Sequence, residues 1–190
     1  MTRLVRLLSP ALIGLAFLAA CGADAQTRGR FKKLDAPFVG TPYEGVAAML
    51  KLARVGPDDV VYDLGSGDGR IVIAAVRDFG AKAGVGVDID PIRVREGIGN
   101  AKKAGVSDRT EFFQGDAFKF DFGEATVLAL FMSARINTEL LPRMRRLLKP
   151  GSRIVTYRFP IVGWKPDKVI RHNGEDIYLW VMKAGDRIAE

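Results

Sequence analysis

The chain holds one cysteine and one histidine in 190 residues. Cys21 alone cannot close an intramolecular disulfide. With His172 as the only imidazole, there is no Cys/His cluster to suggest a zinc centre. No G-x-x-x-x-G-K-[ST] run occurs, which excludes a P-loop grip on nucleotide phosphates. Internal repeats and low-complexity tracts are also absent. The apolar run from Leu7 to Ala20 is short for a membrane span and contains Pro10. Cationic excess is modest: the net charge is +7, and Arg3 and Arg6 of the N-terminal segment contribute to it. That balance permits an anionic partner or membrane surface without pointing to one. The rest is ordinary for one globular domain with a real core and an N-terminal extension: 48% hydrophobic and 27% charged residues.

What stands out is the run from Val61 to Arg70, VYDLGSGDGR. Val60, Val61 and Leu64 read as a buried strand, and Ile71 to Val76 begin a helix. Between them, Gly65, Ser66, Gly67 and Gly69 form a tight turn that lets a ligand approach the main chain. Asp63 precedes the first glycine by two residues, where a carboxylate suits a cationic ligand group better than a phosphate. The spacing is G-x-G-x-G. A dinucleotide site needs G-x-G-x-x-G, and Arg70 occupies the third glycine's place. The other reading of these residues is a glycine turn that holds no ligand. The pattern resembles motif I of the seven-strand S-adenosylmethionine-dependent methyltransferases.

Two later segments fit the same site. Ala83 to Val87 reads as a second buried strand, ending in Asp88 and Ile89. Asp88 falls about 20 residues beyond the glycine loop, where a carboxylate accepts hydrogen bonds from ribose hydroxyls. Asp90 and Pro91 read as the cap and first residue of a helix. A third strand, Thr110 to Gln114, runs into Gly115, Asp116 and Ala117. In the resemblance, the acid after strand three faces the adenine amino group; alone it reads equally as a turn aspartate.

The remaining elements follow from periodicity. Thr41 and Pro42 read as N-cap and N1 of a helix with Val46, Met49, Leu50 and Ala53 at helical spacing. Strand one is Val60 to Leu64, followed by a helix from about Arg70 to Phe79. The helix Pro91 to Ala104 is expected to bury Val94, Ile98 and Ala101. Strand four, Thr126 to Phe131, is apolar throughout, as for a strand covered on both faces. A helix from about Arg135 to Leu148 aligns Ile136, Leu140, Met144 and Leu147. Strand five is Arg153 to Arg158, and Phe159 to Asp167 is short for a crossover helix. Val169 to His172 and Ile177 to Met182 flank Asn173-Gly174, a type I′ turn signal, so the chain closes in a hairpin. His172 beside that turn reads as a surface residue rather than a base. The fold class is α/β, a Rossmann-like doubly wound seven-stranded sheet with a C-terminal antiparallel hairpin. The resemblance implies strand order 3-2-1-4-5-7-6.

The N-terminus reads as a targeting segment, residues 1–21, then a basic linker, 22–38, then the methyltransferase domain, 39–190. Leu18-Ala19-Ala20-Cys21 resembles a bacterial lipobox, in which the cysteine is lipidated. Ala23-Asp24-Ala25 offers ordinary signal cleavage. Arg28, Arg30, Lys32 and Lys33 pull the other way, since positive residues hold a flank in the cytoplasm. The expected location is the membrane, with export suggested by the lipobox and the cytoplasmic face as the alternative.

A closer resemblance comes from residues that recur together: Val39-Gly-Thr-Pro42, the glycine loop, Asn137 with Pro142, and Arg158-Phe-Pro160 with Trp164. In that arrangement the chain resembles the lysine methyltransferases of mitochondrial ATP synthase c-subunit and adenine nucleotide translocase, with their bacterial relatives. Bacterial relatives often carry Tyr-Leu-Leu-Pro where this chain has Phe131-Met-Ser-Ala134, and His-Asp at Tyr157-Arg158. Other methyltransferase classes lack their marks here. There is no [DN]-P-P-[YF] run after strand four, no acid there for a metal, and no cysteine nucleophile in the domain. The resemblance implies an aromatic pocket for a lysine amine, with Phe131, Tyr157, Phe159 and Trp164 as candidate lining and Asn137 orienting the nucleophile. Core packing and helix capping are the competing readings of those residues. Arg143, Arg145, Arg146 and Lys149 read as a solvated helix face, so no nucleic-acid partner is expected. A monomer is expected. The resulting expectation is a protein-lysine N-methyltransferase using S-adenosyl-L-methionine on a membrane-associated protein. A small-molecule methyltransferase, or an exported lipoprotein using this fold only for binding, are the alternatives.

Overall fold

In the computed structural model, residues 40–188 are described. The targeting segment, Cys21, the basic linker and Val39 lie outside the described residues. Helix α1 spans Tyr43–Leu52, followed by β1 Val60–Leu64, α2 Arg70–Arg77, β2 Ala83–Asp88, α3 Pro91–Lys103 and β3 Thr110–Gln114. Then come β4 Val127–Leu130, α4 Ala134–Glu139, α5 Leu141–Leu147, β5 Arg153–Tyr157, β6 Lys168–His172 and β7 Glu175–Val181. A 3₁₀ turn covers Ala184–Asp186.

The strands form one seven-stranded sheet in the order β3-β2-β1-β4-β5-β7-β6. The five strands β1 to β5 run parallel, and β7 inserts antiparallel between β5 and β6. Central β4 is buried along its whole length, as an apolar parallel strand covered on both faces must be. On one face, Val46, Met49 and Leu50 of α1, Ile71 and Ile73 to Val76 of α2 and Ala101 of α3 pack with Val61, Val127 and Val155. On the other, Leu140, Met144 and Leu148 around α5 pack with Leu128, Ile154 and Trp180. Asn173 and Gly174 both take positive φ, 50° and 83°, giving the expected tight hairpin. The connection from β5 to β6 holds no helix. It is pinned instead by Trp180 Nε1 donating to Trp164 O at 3.0 Å and Asp167 N donating to Leu179 O at 2.8 Å.

Local details correct the sequence reading. The helix expected over 135–148 is two helices, because Pro142 has no N–H for the Thr138 carbonyl and its ring crowds that turn. The inward face of α3 is Val94, Gly97 and Ala101, while Ile98 is 52% exposed. Phe112 of β3 claims the inward space: a Cβ on Gly97 would meet its ring at 2.7 Å, on Gly86 at 2.5 Å and on Gly69 at 2.6 Å. Helix α1 is capped by Pro42, whose carbonyl accepts from Val46 N, rather than by Thr41. Thr41 is buried, and its carbonyl accepts from Arg70 Nη1 at 2.8 Å.

At the N-terminal end of the strands sits a buried polar network. Asp59 accepts from Thr126 Oγ1 at 2.7 Å, from Gly56 N at 2.9 Å, and from Arg153 Nη2. Arg153 Nη1 also donates to Ala53 O at 2.7 Å. This ties the starts of β1 and β5 to the end of α1, opposite the end of the sheet where the glycine loop lies.

Candidate active site

The loop from β1 to α2 lies at the C-terminal ends of the parallel strands, where open α/β sheets bind ligands. Gly65, Gly67 and Gly69 have φ of 78°, 54° and 81°, a region where a Cβ costs about 1–2 kcal/mol. Two amides, Gly65 N and Ser66 N, donate to Val87 O at 2.8 and 3.0 Å, fastening the loop to the end of β2. Asp88 continues that tie. Its Oδ2 accepts from Gly67 N at 2.8 Å and its Oδ1 from Asp90 N at 2.9 Å. A carboxylate oxygen has more than one lone pair, so both remain able to accept from ribose hydroxyls. Asp90 caps α3 as expected, accepting from Ile92 N at 2.8 Å with Pro91 in the first turn.

Asp63 lies deep in this site, 2% exposed, in register with Gly86 of β2 and Ala129 of β4. Burial, and then the nearby Asp88 and Asp68 carboxylates, push its pKa from the usual 3.8 up to about 8. A cation placed beside it would relieve both effects. Ser66 Oγ is buried without a hydrogen-bond partner among the described residues. A buried carboxylate, an unpaired hydroxyl and a loop of left-handed glycines fit a ligand carrying an ammonium group and ribose hydroxyls. Ile89 is half-buried beside Asp88. Asp116 Oδ1 accepts from Phe118 N at 2.9 Å, an Asx turn, and Ala117 packs against the apolar cluster of that face. The turn reading of Asp116 is thus realised, with its second carboxylate oxygen still available. A cavity of about 430 Å³ lies to one side, between α1, α2 and α3. It is lined by Tyr43, Arg77, Phe79, Asn100 and Lys103, and of the loop takes in only Asp68 and the adjoining Arg70.

Of the residues expected at the acceptor pocket, Phe131, Tyr157 and Phe159 come together at the ends of β4 and β5, and Asn137 reaches them from α4 through the Phe159 carbonyl. The Phe131 ring meets Tyr157 edge-on at 5.2 Å and stacks on Phe159 at 6.0 Å. Burial, with Glu175 next, raises the Tyr157 pKa. Asn137 is fully buried on α4, and its Nδ2 donates to Phe159 O at 3.0 Å. Its Oδ1 has no hydrogen-bond partner among the described residues. Helix capping, the competing reading for Asn137, falls instead to Ser133, whose Oγ accepts from Ile136 N. Trp164 departs from expectation. It packs on Trp180 at 6.0 Å with Arg145 above its ring, in the cluster on the opposite face from Tyr157. The reason is its loop, which Trp180 Nε1 holds down through Trp164 O.

Two polar contacts escaped the sequence reading. Arg70 bonds Asp68 through Nε at 2.9 Å and Nη2 at 2.6 Å and lies over the Tyr43 ring, joining the start of α1 to the glycine loop. Thr156 Oγ1 donates to Phe159 O at 2.7 Å. A threonine in a strand gives no signal of such a bond, because its β-branch already explains its presence.

Comparison with known proteins places this geometry. Residues 63–168 match the ANTKMT methyltransferase domain family. The chain belongs to that family. A protein-lysine N-methyltransferase of Saccharolobus islandicus is 43% identical over 150 residues, covering 77% of this chain and 93% of that protein. The adenine nucleotide translocase lysine N-methyltransferase of Mus musculus is 30% identical over 148 residues, covering 78% of this chain and 64% of that protein. An RNA methyltransferase of Salinibacter ruber, crystallised with S-adenosyl-L-homocysteine, superposes with a TM-score of 0.76 at 45% identity. That likeness covers 80% of this chain and 97% of the other. This ANTKMT-family chain is an S-adenosylmethionine-dependent methyltransferase, and its sheet has the methyltransferase strand order.

Proposed function

We propose that this enzyme methylates the side-chain amine of lysine in a membrane-associated protein. The observation that carries the reading is the aromatic cluster Phe131, Tyr157 and Phe159, whose Phe159 carbonyl holds the Asn137 amide nitrogen and leaves its Oδ1 unpaired. A lysine suits that surface, because its apolar stem can lie along rings while its amine reaches further in. S-Adenosylmethionine, when bound, supplies the activated methyl group. On the protein side, Asp63 would hold the cofactor's ammonium, Asp88 its ribose, and Asp116 its adenine amino group. The acceptor amine has to be neutral to attack, and desolvation among the rings lowers its pKa towards that state. Asn137 Oδ1 would accept one of its N–H groups and leave the lone pair free. No carboxylate or imidazole is assigned as a base.

The lysine names of the Saccharolobus and mouse relatives support this acceptor. The Salinibacter relative raises RNA as the competing one. The basic face of α5 favours lysine. Arg143 Nη2 is bonded to Phe120 O, Arg145 lies over Trp164, and Lys149 pairs with Glu124. The two arginines thus serve packing, and the Lys149 charge is offset by an exposed carboxylate. Membrane association would come from residues 1–21, and confinement there raises the effective concentration of neighbouring proteins. The enzyme with radiolabelled S-adenosylmethionine and membranes should mark one or a few proteins on lysine. Label confined to RNA, lipid or small metabolites would overturn the lysine reading and leave the methyltransferase itself standing.

A further inference from the structure

The end of β5 is bent by Arg158, a non-glycine residue at φ 67°. That bend brings Phe159 N back to Tyr157 O at 2.8 Å and Phe159 O back to Thr156 Oγ1 at 2.7 Å. Two further bonds hold it. Arg158 N donates to Asp176 O at 2.7 Å, and Val162 N donates to Thr138 Oγ1 on α4 at 2.9 Å. Thr156 is fully buried, so its hydroxyl serves this turn and not solvent.

The Phe159 carbonyl therefore receives two donors, Thr156 Oγ1 and Asn137 Nδ2. A carbonyl offers two lone pairs and no proton. It accepts the amide nitrogen of Asn137 and repels the amide oxygen. The turn thus decides which way the Asn137 carboxamide faces, and the unpaired Oδ1 is what remains on its other side.

We propose that Thr156 is a positioning residue for methyl transfer: by fixing the Phe159 carbonyl, it holds Asn137 with its oxygen, not its NH₂, towards the acceptor amine. This rests on the role given to Asn137 above. The orientation matters because a reversed amide would donate to the amine's lone pair, the pair that must attack. Without the Thr156 bond, the left-handed turn at Arg158 can relax and the carbonyl loses its fixed aim.

The test uses the full-length chain in detergent, with radiolabelled S-adenosylmethionine and a membrane-protein fraction as acceptor. Thr156→Val keeps the shape and removes the hydroxyl, and Thr156→Ser restores it. Thr156→Val should lower kcat about tenfold, the effect of one well-placed hydrogen bond, while KM for S-adenosylmethionine and affinity for S-adenosylhomocysteine stay within about twofold. Thr156→Ser should recover most of the rate. In ¹⁵N-labelled protein, the Asn137 side-chain NH₂ protons should exchange faster with solvent in Thr156→Val and at the wild-type rate in Thr156→Ser. Wild-type kcat in Thr156→Val, unchanged NH₂ exchange, or equal losses in Val and Ser variants would overturn the proposal. Label landing on an amine other than lysine would overturn the lysine reading alone, since the amide exchange and the Val–Ser contrast hold for any amine; label on oxygen or carbon would overturn both.

Discussion

Asp88 and Gly67 are joined across the site by a 2.8 Å hydrogen bond from the glycine amide to the carboxylate. The residue expected to hold the ribose therefore also braces the loop expected to receive the rest of the cofactor. Asp88→Ala should weaken S-adenosylhomocysteine binding by on the order of 2–4 kcal/mol, through lost ribose contacts and a loosened loop. Calorimetric titration measures this. Unchanged affinity in a folded variant would remove Asp88 from the site.

The raised pKa of Asp63 predicts a pH-dependent stability in the ligand-free enzyme. The folded chain keeps this proton up to about pH 8, whereas the ordinary value for the unfolded carboxyl is 3.8. Between those values the unfolded state binds fewer protons, so the group's contribution favours folding at low pH and is lost as pH rises to about 8. Urea midpoints of wild type should fall from pH 6 to pH 8 more than those of Asp63→Asn. Identical slopes would show that Asp63 is ionised throughout. The same variant should bind S-adenosylhomocysteine more weakly, having no charge to offer an ammonium.

Phe112 occupies the room left by glycines on α3, on β2 and in the glycine loop. Gly97→Ala should cost about 1–3 kcal/mol by overpacking, although alanine is the better helix former. In a Phe112→Leu background most of that cost should disappear. A double-mutant cycle in urea denaturation would show the coupling, and additive effects would argue that the ring is not what excludes a side chain at Gly97.

Membrane attachment is tested at Cys21. A palmitate analogue fed to cells should tag the protein, and Cys21→Ser should lose the tag. A wild type without label would speak for a plain signal peptide or a retained anchor. Protease shaving of spheroplasts then separates those two, because only a cytoplasmic domain is protected.

Much of the fold was legible because it rests on local signals. The bounds of β1 and β3, the cap at Asp90 and the turn at Asn173-Gly174 match the structure, since each depends on residues adjacent in sequence. What could not be read depends on partners far along the chain. Ile98 fits the helical spacing of a core residue, but the face of α3 turned inward is the one where Gly97 receives the ring of Phe112, far along the chain on β3. The aromatic character of Trp164 suited a lysine pocket, yet its partner is Trp180, across the hairpin. Asp59 and Arg153 stand 94 residues apart, and nothing in either neighbourhood marks them as paired. The site divides the same way. Asp63 and the glycines form a contiguous motif with Asp88 at the end of the next strand, whereas Thr156 enters only through a turn that Arg158 makes by leaving ordinary strand geometry.

The break between α4 and α5 divides two anchoring tasks between two short helices. Asn137 and Thr138 of α4 are bonded to the turn after β5, while Leu140, Met144 and Leu148 anchor α5 to the sheet. Pro142 interrupts the helical ladder between them, so the turn after β5 and the half-buried Arg143 and Arg145 are held by separate helices. A surface substitution on α5 should therefore leave the bonds that α4 makes to that turn in place.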